Sequence, residues 1–183
     1  PTDCPQREKN GWTADAHVSI DIAFTNYDAL LVYEKWIDDI IDNQRPDGSI
    51  SGVIPGTDWG YADWIGAVWD AVIFEVPFAM YNYYGDTRAI EKIYPTAERY
   101  LQYLARREND EGTVTYGLGN WCYYQTVTPS EYVVTCYYYR DYTLMARFAE
   151  LLGKDATAYQ QKAATLRQLI NDKYLDKQSG VYS

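Results

Sequence analysis

Apolar residues recur at three- and four-residue steps along most of this chain, the spacing of one face of an α-helix. The pattern predicts five long helices, at residues 30–41, 65–81, 90–104, 133–152 and 159–174. A shorter helix is predicted over 13–24, with Asn26 as a candidate cap for the helix that follows it. The segment 65–81 is apolar on all sides, so we expect an inner helix, kinked at Pro77. Asp155 is the candidate N-cap of the last helix.

The connections between these helices alternate between short and long. Turns at 25–27, 85–87 and 153–155 are tight, whereas 44–63 and 108–130 are long and rich in Gly, Asp, Trp and Tyr. If successive helices run antiparallel, the start of the chain and both long loops share one rim. Three such hairpins predict an all-α solenoid or part of a toroid. The residues expected together at that rim are Asp3, Arg7, Glu8, Asp58, Trp59, Asp63, Trp64, Asn120 and Trp121.

Charge and composition exclude several classes of partner. The chain has 16 Lys and Arg against 26 Asp and Glu, a net charge of −10, and no run of basic residues. We therefore expect no nucleic acid and no anionic membrane surface as a partner. Its apolar stretches are interrupted by charges such as Glu75 and are shorter than the roughly 20 residues that span a bilayer. The chain lacks an initiating Met, which predicts a fragment of a longer polypeptide.

Cysteine and histidine usage narrows the catalytic chemistry further. Cys4, Cys122 and Cys136 form neither a CxxC pair nor a metal-ligand cluster, and an odd number leaves at least one thiol free. His17 is the only histidine, so a His-based zinc site or a Ser-His-Asp triad lacks its parts. We expect no metal and no cofactor, and we expect His17 to be a hydrogen-bonded residue of the first helix. Hydrolysis by carboxylates remains.

The first fifteen residues hold the densest group of reactive side chains. They contain three carboxylates, Asp3, Glu8 and Asp15, together with the guanidinium of Arg7 and the indole of Trp12. Cleavage of a glycosidic bond needs one protonated carboxyl and a second carboxylate that activates water or attacks. Taken singly, each charged residue could equally be a turn, surface or helix-start residue. Together they favour a sugar-cleaving site, with Glu8 as the candidate proton donor.

Near its start the chain has Asp3-Cys4-Pro5-Gln6-Arg7, followed by an acidic residue and then by Gly-Trp-Thr-Ala-Asp over 11–15. This combination resembles the signature of the bacterial and fungal α-L-rhamnosidases. These are inverting glycoside hydrolases with an (α/α)6 toroid. Stretches at 44–48, 67–71, 84–88 and 116–121 resemble the same catalytic domain, in the same order, so the likeness covers nearly the whole chain. It implies that 1–183 is the N-terminal half of that domain, about half of an (α/α)6 barrel without an internal domain boundary.

The resemblance also implies roles for individual residues. Glu8 is implied as the general acid, since it is the only carboxylate between Arg7 and Trp12. Asp3, Arg7 and Asp15 are implied to hold sugar hydroxyls and to tune that acid. The general base of the family is a glutamate beyond the equivalent of residue 183, so this stretch alone is expected to have little or no activity.

Aromatic residues supply the second functional signal. The chain has twenty Tyr and six Trp, and sugars stack their C–H faces on such rings. Trp12, Trp64 and Trp121, in or beside the long loops, are implied by the resemblance to wall a rhamnose subsite, whereas Trp69 lies at helical spacing and is expected to be core. Asn120 stands where the family has a carboxylate.

The expected substrate is a rhamnose-containing glycan or glycoside, with the rest of the parent polypeptide completing the barrel. Two other interpretations stay open on the sequence. One is a toroidal glycosidase or lyase acting on a different sugar, and the other is a non-catalytic carbohydrate-binding helical module.

Overall fold

The computed structural model describes residues 3–4, 6–125 and 128–182, which form eight α-helices and one small antiparallel sheet. Pro5, part of the first motif, lies outside the described residues. The helices are α1 (Thr13–Val18), α2 (Ile20–Asn26), α3 (Leu30–Asp42), α4 (Ala67–Asp70), α5 (Val72–Tyr84), α6 (Arg88–Ala105), α7 (Ser130–Leu151) and α8 (Thr157–Tyr174). A 3-10 helix, Asp58–Tyr61, lies between α3 and α4. The strands are β1 (Leu175–Asp176) and β2 (Val181–Tyr182), with Leu175 opposite Tyr182.

The helices pair into three hairpins, as the loop lengths predict. The first hairpin joins α1 and α2 to α3, the second joins α4 and α5 to α6, and the third joins α7 to α8. The first arms pack side by side, α1 and α2 against α5 and α5 against α7, while α3 packs against α6 in the second row. This arrangement confirms the predicted all-α fold of successive hairpins, half of a six-hairpin toroid.

The core lies between the two rows of helices. From Val72 to Tyr81 every residue of α5 is buried or half-buried, and Ile73, Phe74 and Val76 are fully inaccessible to solvent, which confirms the inner position predicted from its sequence. The last three residues of the helix, 82–84, are exposed. Helix α6 instead buries one apolar stripe that includes Ile90, Ile93 and Tyr100 and turns charged residues outward. Burial of such side chains stabilises the fold by about 1.5–3 kcal/mol each.

Two of the predicted helices are interrupted. The segment 13–24 breaks at Ser19, whose amide and hydroxyl both donate to the Asp15 carbonyl, at 3.2 and 2.6 Å. The segment 65–81 begins at Ala67 and breaks at Ala71, whereas α5 runs through Pro77 without interruption. The predicted helix therefore divides at Ala71 and not at Pro77.

The two predicted caps have different outcomes. Asn26 is not the cap of α3, because it is the last residue of α2 and its amide donates back to the Ile22 carbonyl at 2.8 Å. Helix α3 begins after Ala29 instead. The Asp155 carboxylate accepts the Thr157 amide at 2.9 Å, so it does bind the first turn of α8, from one residue earlier than an N-cap.

The start of the chain and both long loops meet on one rim. An isolated β-bridge joins Trp12 to Val53 in the first long loop, and another joins Gly66 to Gly117 in the second. A Cβ at Gly66 would lie 2.2 Å from the Tyr116 carbonyl oxygen, so this close crossing of loops requires glycine. This confirms the expectation, drawn from the alternation of short and long connections, that the start of the chain and both long loops share one rim.

No helix within the described residues is long and apolar enough to cross a membrane. His17 is a buried residue of α1 whose Nε2 lies 2.9 Å from the Val68 carbonyl oxygen, as predicted. The thiols of Cys4, Cys122 and Cys136 are free.

Candidate active site

A cleft of about 430 Å³ opens on the rim that carries the long loops. All seven side chains selected from the sequence line it, although they come from three separate segments of the chain. They are Asp3, Arg7, Glu8, Trp12, Asp15, Trp64 and Trp121. A larger groove of about 680 Å³ lies between α3 and α6, but it is lined by charged and aliphatic residues, among which no described residue is aromatic.

A tight loop ahead of α1 presents Glu8. The Cys4 carbonyl accepts the amides of Arg7 at 3.0 Å and Lys9 at 3.1 Å, and the Asp3 amide donates to the Asn10 carbonyl at 3.3 Å. Lys9 adopts a φ of 59°, which reverses the chain directly after Glu8. The loop therefore closes on itself and holds Asp3, Cys4 and Glu8 near one another.

Gly11, Trp12 and Thr13 anchor this loop to the first long loop. The Ile54 amide donates to the Gly11 carbonyl at 2.8 Å, and a Cβ at Gly11 would lie 2.4 Å from the Ile54 carbonyl oxygen. The buried Thr13 hydroxyl lies 2.8 Å from the Trp69 carbonyl oxygen and 3.1 Å from that of Gly52. The Gly-Trp-Thr sequence thus fixes where Glu8 stands relative to the helices.

Both carboxylate oxygens of Glu8 accept hydrogen bonds. Arg7 Nη2 donates to Oε1 at 3.2 Å, and Trp12 Nε1 donates to Oε2 at 3.1 Å. The Glu8 carboxylate remains exposed to the cleft, with 39% of its side chain accessible. It is held in place and still open to a ligand.

Tryptophan rings form the wall of the cleft around Trp12. The Trp12 ring centroid lies 5.3 Å from that of Trp59, 6.1 Å from that of Trp64 and 6.2 Å from that of Trp69. Trp121, 64% exposed, reaches the same cleft from the second long loop. Such rings can stack on the apolar faces of a sugar.

The charged residues of the cleft influence one another. Burial raises the pKa of Asp15, and the negative charges of Asp3 and Glu8 add to that effect. For Asp3, desolvation raises the pKa, but hydrogen bonding to the backbone and side chain of Cys4 outweighs it and holds the pKa below the ordinary value. Hydrogen bonding to Cys4 and the charge of Glu8 raise the pKa of Arg7. Asp3 is thus the more readily charged of the two aspartates.

Four residues expected at the rim do not line the cleft, namely Asp58, Trp59, Asp63 and Asn120. Asp58 pairs with Arg45 at 2.9 Å and Asp63 pairs with Arg107 at 3.1 Å, while Asn120 is not among the cleft residues. The carboxylates of Asp58 and Asp63 thus form ion pairs with arginines and are exposed at the surface.

Three residues that line the cleft were not predicted to do so. Trp69 was assigned to the core, and it is indeed only 6% exposed, yet its ring forms part of the cleft wall. Cys4 and Cys122 complete the lining. Their positions next to Asp3 and Trp121 in the sequence could have indicated this, since residues adjacent to site residues in a loop lie on the same rim.

Cys4 also joins an acidic group that cysteine spacing did not reveal. Asp3, Cys4 and Glu8 each have one atom that could bind a metal ion, and these three atoms lie within 4.8 Å of one another. Arg7 Nη2 already donates to both Cys4 Sγ and Glu8 Oε1, so the guanidinium supplies the positive charge that this group attracts.

Fold and cleft together define a helical-hairpin protein with a pocket of carboxylates and tryptophans, the kind of surface that holds carbohydrates. The family described as the bacterial alpha-L-rhamnosidase 6 hairpin glycosidase domain matches residues 1–183, and the chain belongs to that family. The alpha-L-rhamnosidase of Streptomyces avermitilis is 31% identical over 176 residues, which are 96% of this chain and 17% of that protein.

Solved structures agree with this assignment. The structure of the alpha-L-rhamnosidase from Dictyoglumus thermophilum is 34% identical, with a TM-score of 0.87 over 97% of this chain and 20% of its own. That of the Streptomyces avermitilis alpha-L-rhamnosidase complexed with L-rhamnose is 30% identical, with a TM-score of 0.89 over 97% of this chain and 17% of its own. The chain thus spans about a fifth of the length of these relatives.

Proposed function

We propose that this chain is the N-terminal half of the helical-toroid catalytic domain of an α-L-rhamnosidase. The complete domain would hydrolyse terminal α-L-rhamnosides with inversion, with Glu8 as the general acid. One observation carries the proposal: Glu8, Asp3, Arg7 and Asp15 line a single cleft with the tryptophans selected from the sequence. The relative whose structure contains L-rhamnose matches nearly all of this chain, which supports rhamnose as the sugar.

In this mechanism, protonated Glu8 donates to the glycosidic oxygen as the bond to the sugar breaks. The carboxylate that remains accepts from Arg7 Nη2 and Trp12 Nε1, the two donors already directed at its oxygens. Charge-assisted hydrogen bonds of this kind stabilise the ionised acid after proton transfer. The ionised aspartates nearby favour the positive charge that develops on the sugar ring.

Asp3 is suited to binding a sugar hydroxyl rather than to activating water. It lines the cleft, and its pKa is held below the ordinary value by hydrogen bonding to Cys4, so it is a charged acceptor for a sugar hydroxyl there. It also lies too close to Glu8 to serve as the base of an inverting enzyme. Inverting carboxyl pairs stand about 6.5–9.5 Å apart, whereas the ligand atoms of Asp3 and Glu8 lie within 4.8 Å.

The general base would therefore come from residues that follow this chain and complete the toroid opposite Glu8. Asp15, at the edge of the cleft, would hold a second hydroxyl, and Trp64 and Trp121 would pack against the sugar ring. The half-domain would then bind and protonate the substrate, and the other half would supply the attacking water.

The test is release of 4-nitrophenol from 4-nitrophenyl α-L-rhamnopyranoside by the full-length polypeptide, its Glu8→Gln variant and a matched Glu150→Gln control. Glu150 is an exposed carboxylate of α7, remote from the cleft, that pairs with Arg147. Turnover that falls at least about 100-fold in Glu8→Gln but not in the control is expected. Proton NMR of the first product should show the β-anomer of rhamnose.

Other outcomes would overturn the proposal in defined ways. Full turnover by Glu8→Gln would exclude Glu8 as the acid. Turnover of a different aryl glycoside instead of the rhamnoside would change the sugar. Saturable binding of L-rhamnose without any turnover would indicate a carbohydrate-binding module.

A further inference from the structure

The sulfur of Cys4 touches the ion pair that holds Glu8. Arg7 Nη2 donates to Cys4 Sγ at 3.3 Å and to Glu8 Oε1 at 3.2 Å, so one nitrogen is shared between the thiol and the candidate acid. Sγ also lies within 4.8 Å of the carboxylate oxygens of Asp3 and Glu8. Among the described cysteines, Cys4 is the one in hydrogen-bond contact with a charged residue of the cleft.

Arg7 needs such a contact to stay in place. Its side chain is 73% exposed and pairs with the residue next to it in sequence, an arrangement that ordinarily contributes little because a long, solvated side chain has many alternative rotamers. The sulfur of Cys4 is the second acceptor that selects one of these rotamers. The backbone reinforces it, since the Cys4 carbonyl accepts the Arg7 amide at 3.0 Å.

We propose that Cys4 is a positioning residue for Glu8, with its sulfur orienting the Arg7 guanidinium onto the acid's Oε1. This inference rests on the proposed function of Glu8. Cys4 itself need not touch substrate, because its effect passes through Arg7. Loss of the thiol would leave Glu8 with Trp12 Nε1 as its one fixed donor among the described residues.

The inference is tested by a double-mutant cycle in the full-length polypeptide, with Cys4→Ala, Arg7→Met and the combined variant assayed on the aryl rhamnoside. Cys4→Ala should lower kcat about fivefold, the effect of one modest hydrogen bond, with KM within about twofold. In the Arg7→Met background the same change should alter kcat by less than about 1.5-fold, because the contact is already lost.

Two further variants separate positioning from folding. Cys4→Ser retains an acceptor at this position and should recover kcat to within about twofold of the unsubstituted polypeptide. Cys136→Ala, at a half-buried thiol of α7 that does not line the cleft, is the matched control and should leave kcat unchanged.

The outcomes distinguish this inference from the proposed function. An unchanged kcat in Cys4→Ala, or the same fivefold loss in both backgrounds, would overturn the role of Cys4 while Glu8→Gln still abolished turnover. A Cys4→Ser variant as slow as Cys4→Ala would also count against it. Absence of rhamnoside turnover by the unsubstituted polypeptide would instead remove the proposed function, and this inference with it.

Discussion

Two groups of carboxylates in this chain lie in opposite environments. At the rim, Glu8 is open to the cleft, and each of its oxygens accepts a hydrogen bond. In the core, Asp141 on α7 is fully buried, and neither of its oxygens has a partner among the described residues. The first arrangement leaves a carboxylate accessible to a ligand while its hydrogen bonds hold it in place. The second favours the neutral form throughout.

The surroundings of Asp141 explain why it stays neutral. Burial raises its pKa well above the ordinary value, and the negative charges of Glu75 and Asp70 raise it further. Arg140 precedes Asp141 in the chain, but both hydrogen bonds of the Arg140 guanidinium go to Glu75, at 2.8 and 3.1 Å. Asp70 is also buried, with the Tyr100 hydroxyl donating to it at 3.1 Å. A carboxyl with a strongly raised pKa therefore marks the core of this chain rather than the cleft.

The largest expected difference between the two groups is in activity. Glu8→Gln should lower kcat by about 10²–10⁴-fold, the range expected for loss of a general acid, whereas Asp141→Asn should change kcat by less than about threefold. The measurement is steady-state kinetics of the full-length polypeptide on the aryl rhamnoside. Equal losses in the two variants would mean that the cleft and the core are not functionally distinct.

The second difference is in stability and its dependence on pH. Because the folded-state pKa of Asp141 is raised, its stabilising contribution is complete below the unfolded pKa of about 4 and is lost as pH rises towards the folded value. Asp141→Asn should therefore be about 1–3 kcal/mol more stable than the unsubstituted protein near pH 8 and equal to it near pH 4.

Thermal melting of both proteins between pH 4 and pH 8 measures this effect. Glu91→Gln is the control, since Glu91 is an exposed residue of α6 that bonds only Thr87 among the described hydrogen bonds. A gain in stability for Asp141→Asn that is the same at pH 4 and pH 8 would exclude titration of Asp141 as its cause.

A smaller expected effect at the rim distinguishes the contribution of the Trp12 ring from that of its N–H group. Trp12→Phe keeps an aromatic wall against Trp59 and Trp64 but removes the donor to Glu8 Oε2. We expect kcat to fall about tenfold, the effect of one charge-assisted hydrogen bond, with little change in KM. A large rise in KM with unchanged kcat would instead show that the ring, not the donor, matters.

The last substitution affects stability rather than activity, and it concerns the residue that links rim and core. Thr13→Val removes the hydroxyl that binds the carbonyls of Gly52 and Trp69, while it keeps the shape of the side chain. We expect a loss of about 1–2 kcal/mol in stability, measured by thermal melting. Thr25→Val is the control, because the Thr25 hydroxyl bonds only within its own helix, at 2.6 Å to the Asp21 carbonyl, and its surface is exposed.

Much of the candidate site was predictable because its charged part is local in sequence. Asp3, Arg7 and Glu8 lie within six residues, so any compact loop brings them together. Trp64 and Trp121 were placed with them by loop length, since long connections of antiparallel helices share a rim. These inferences needed only the spacing of residues along the chain and the alternation of short and long loops.

Other features depended on contacts that spacing does not encode. Helical periodicity marked Trp69 as buried, but it could not show that the buried ring also borders the cleft. The contact of Cys4 with Arg7 depends on how the loop closes around Lys9. The break at Ser19 lies within a segment whose apolar spacing predicts one continuous helix, so the spacing alone does not mark it.

The sequence by itself determined most of the helical segments, their pairing into hairpins, and the segment that carries the candidate acid, because these follow from periodicity and short-range order. Only the tertiary structure decided which carboxylates are exposed and which are buried. Asp58, Asp63 and Asp141 look alike in the chain, yet the first two pair with arginines, while Asp141 is enclosed with no hydrogen-bond partner in the part of the chain that the structure describes. The environment of a charge is set by residues distant in sequence that packing brings around it.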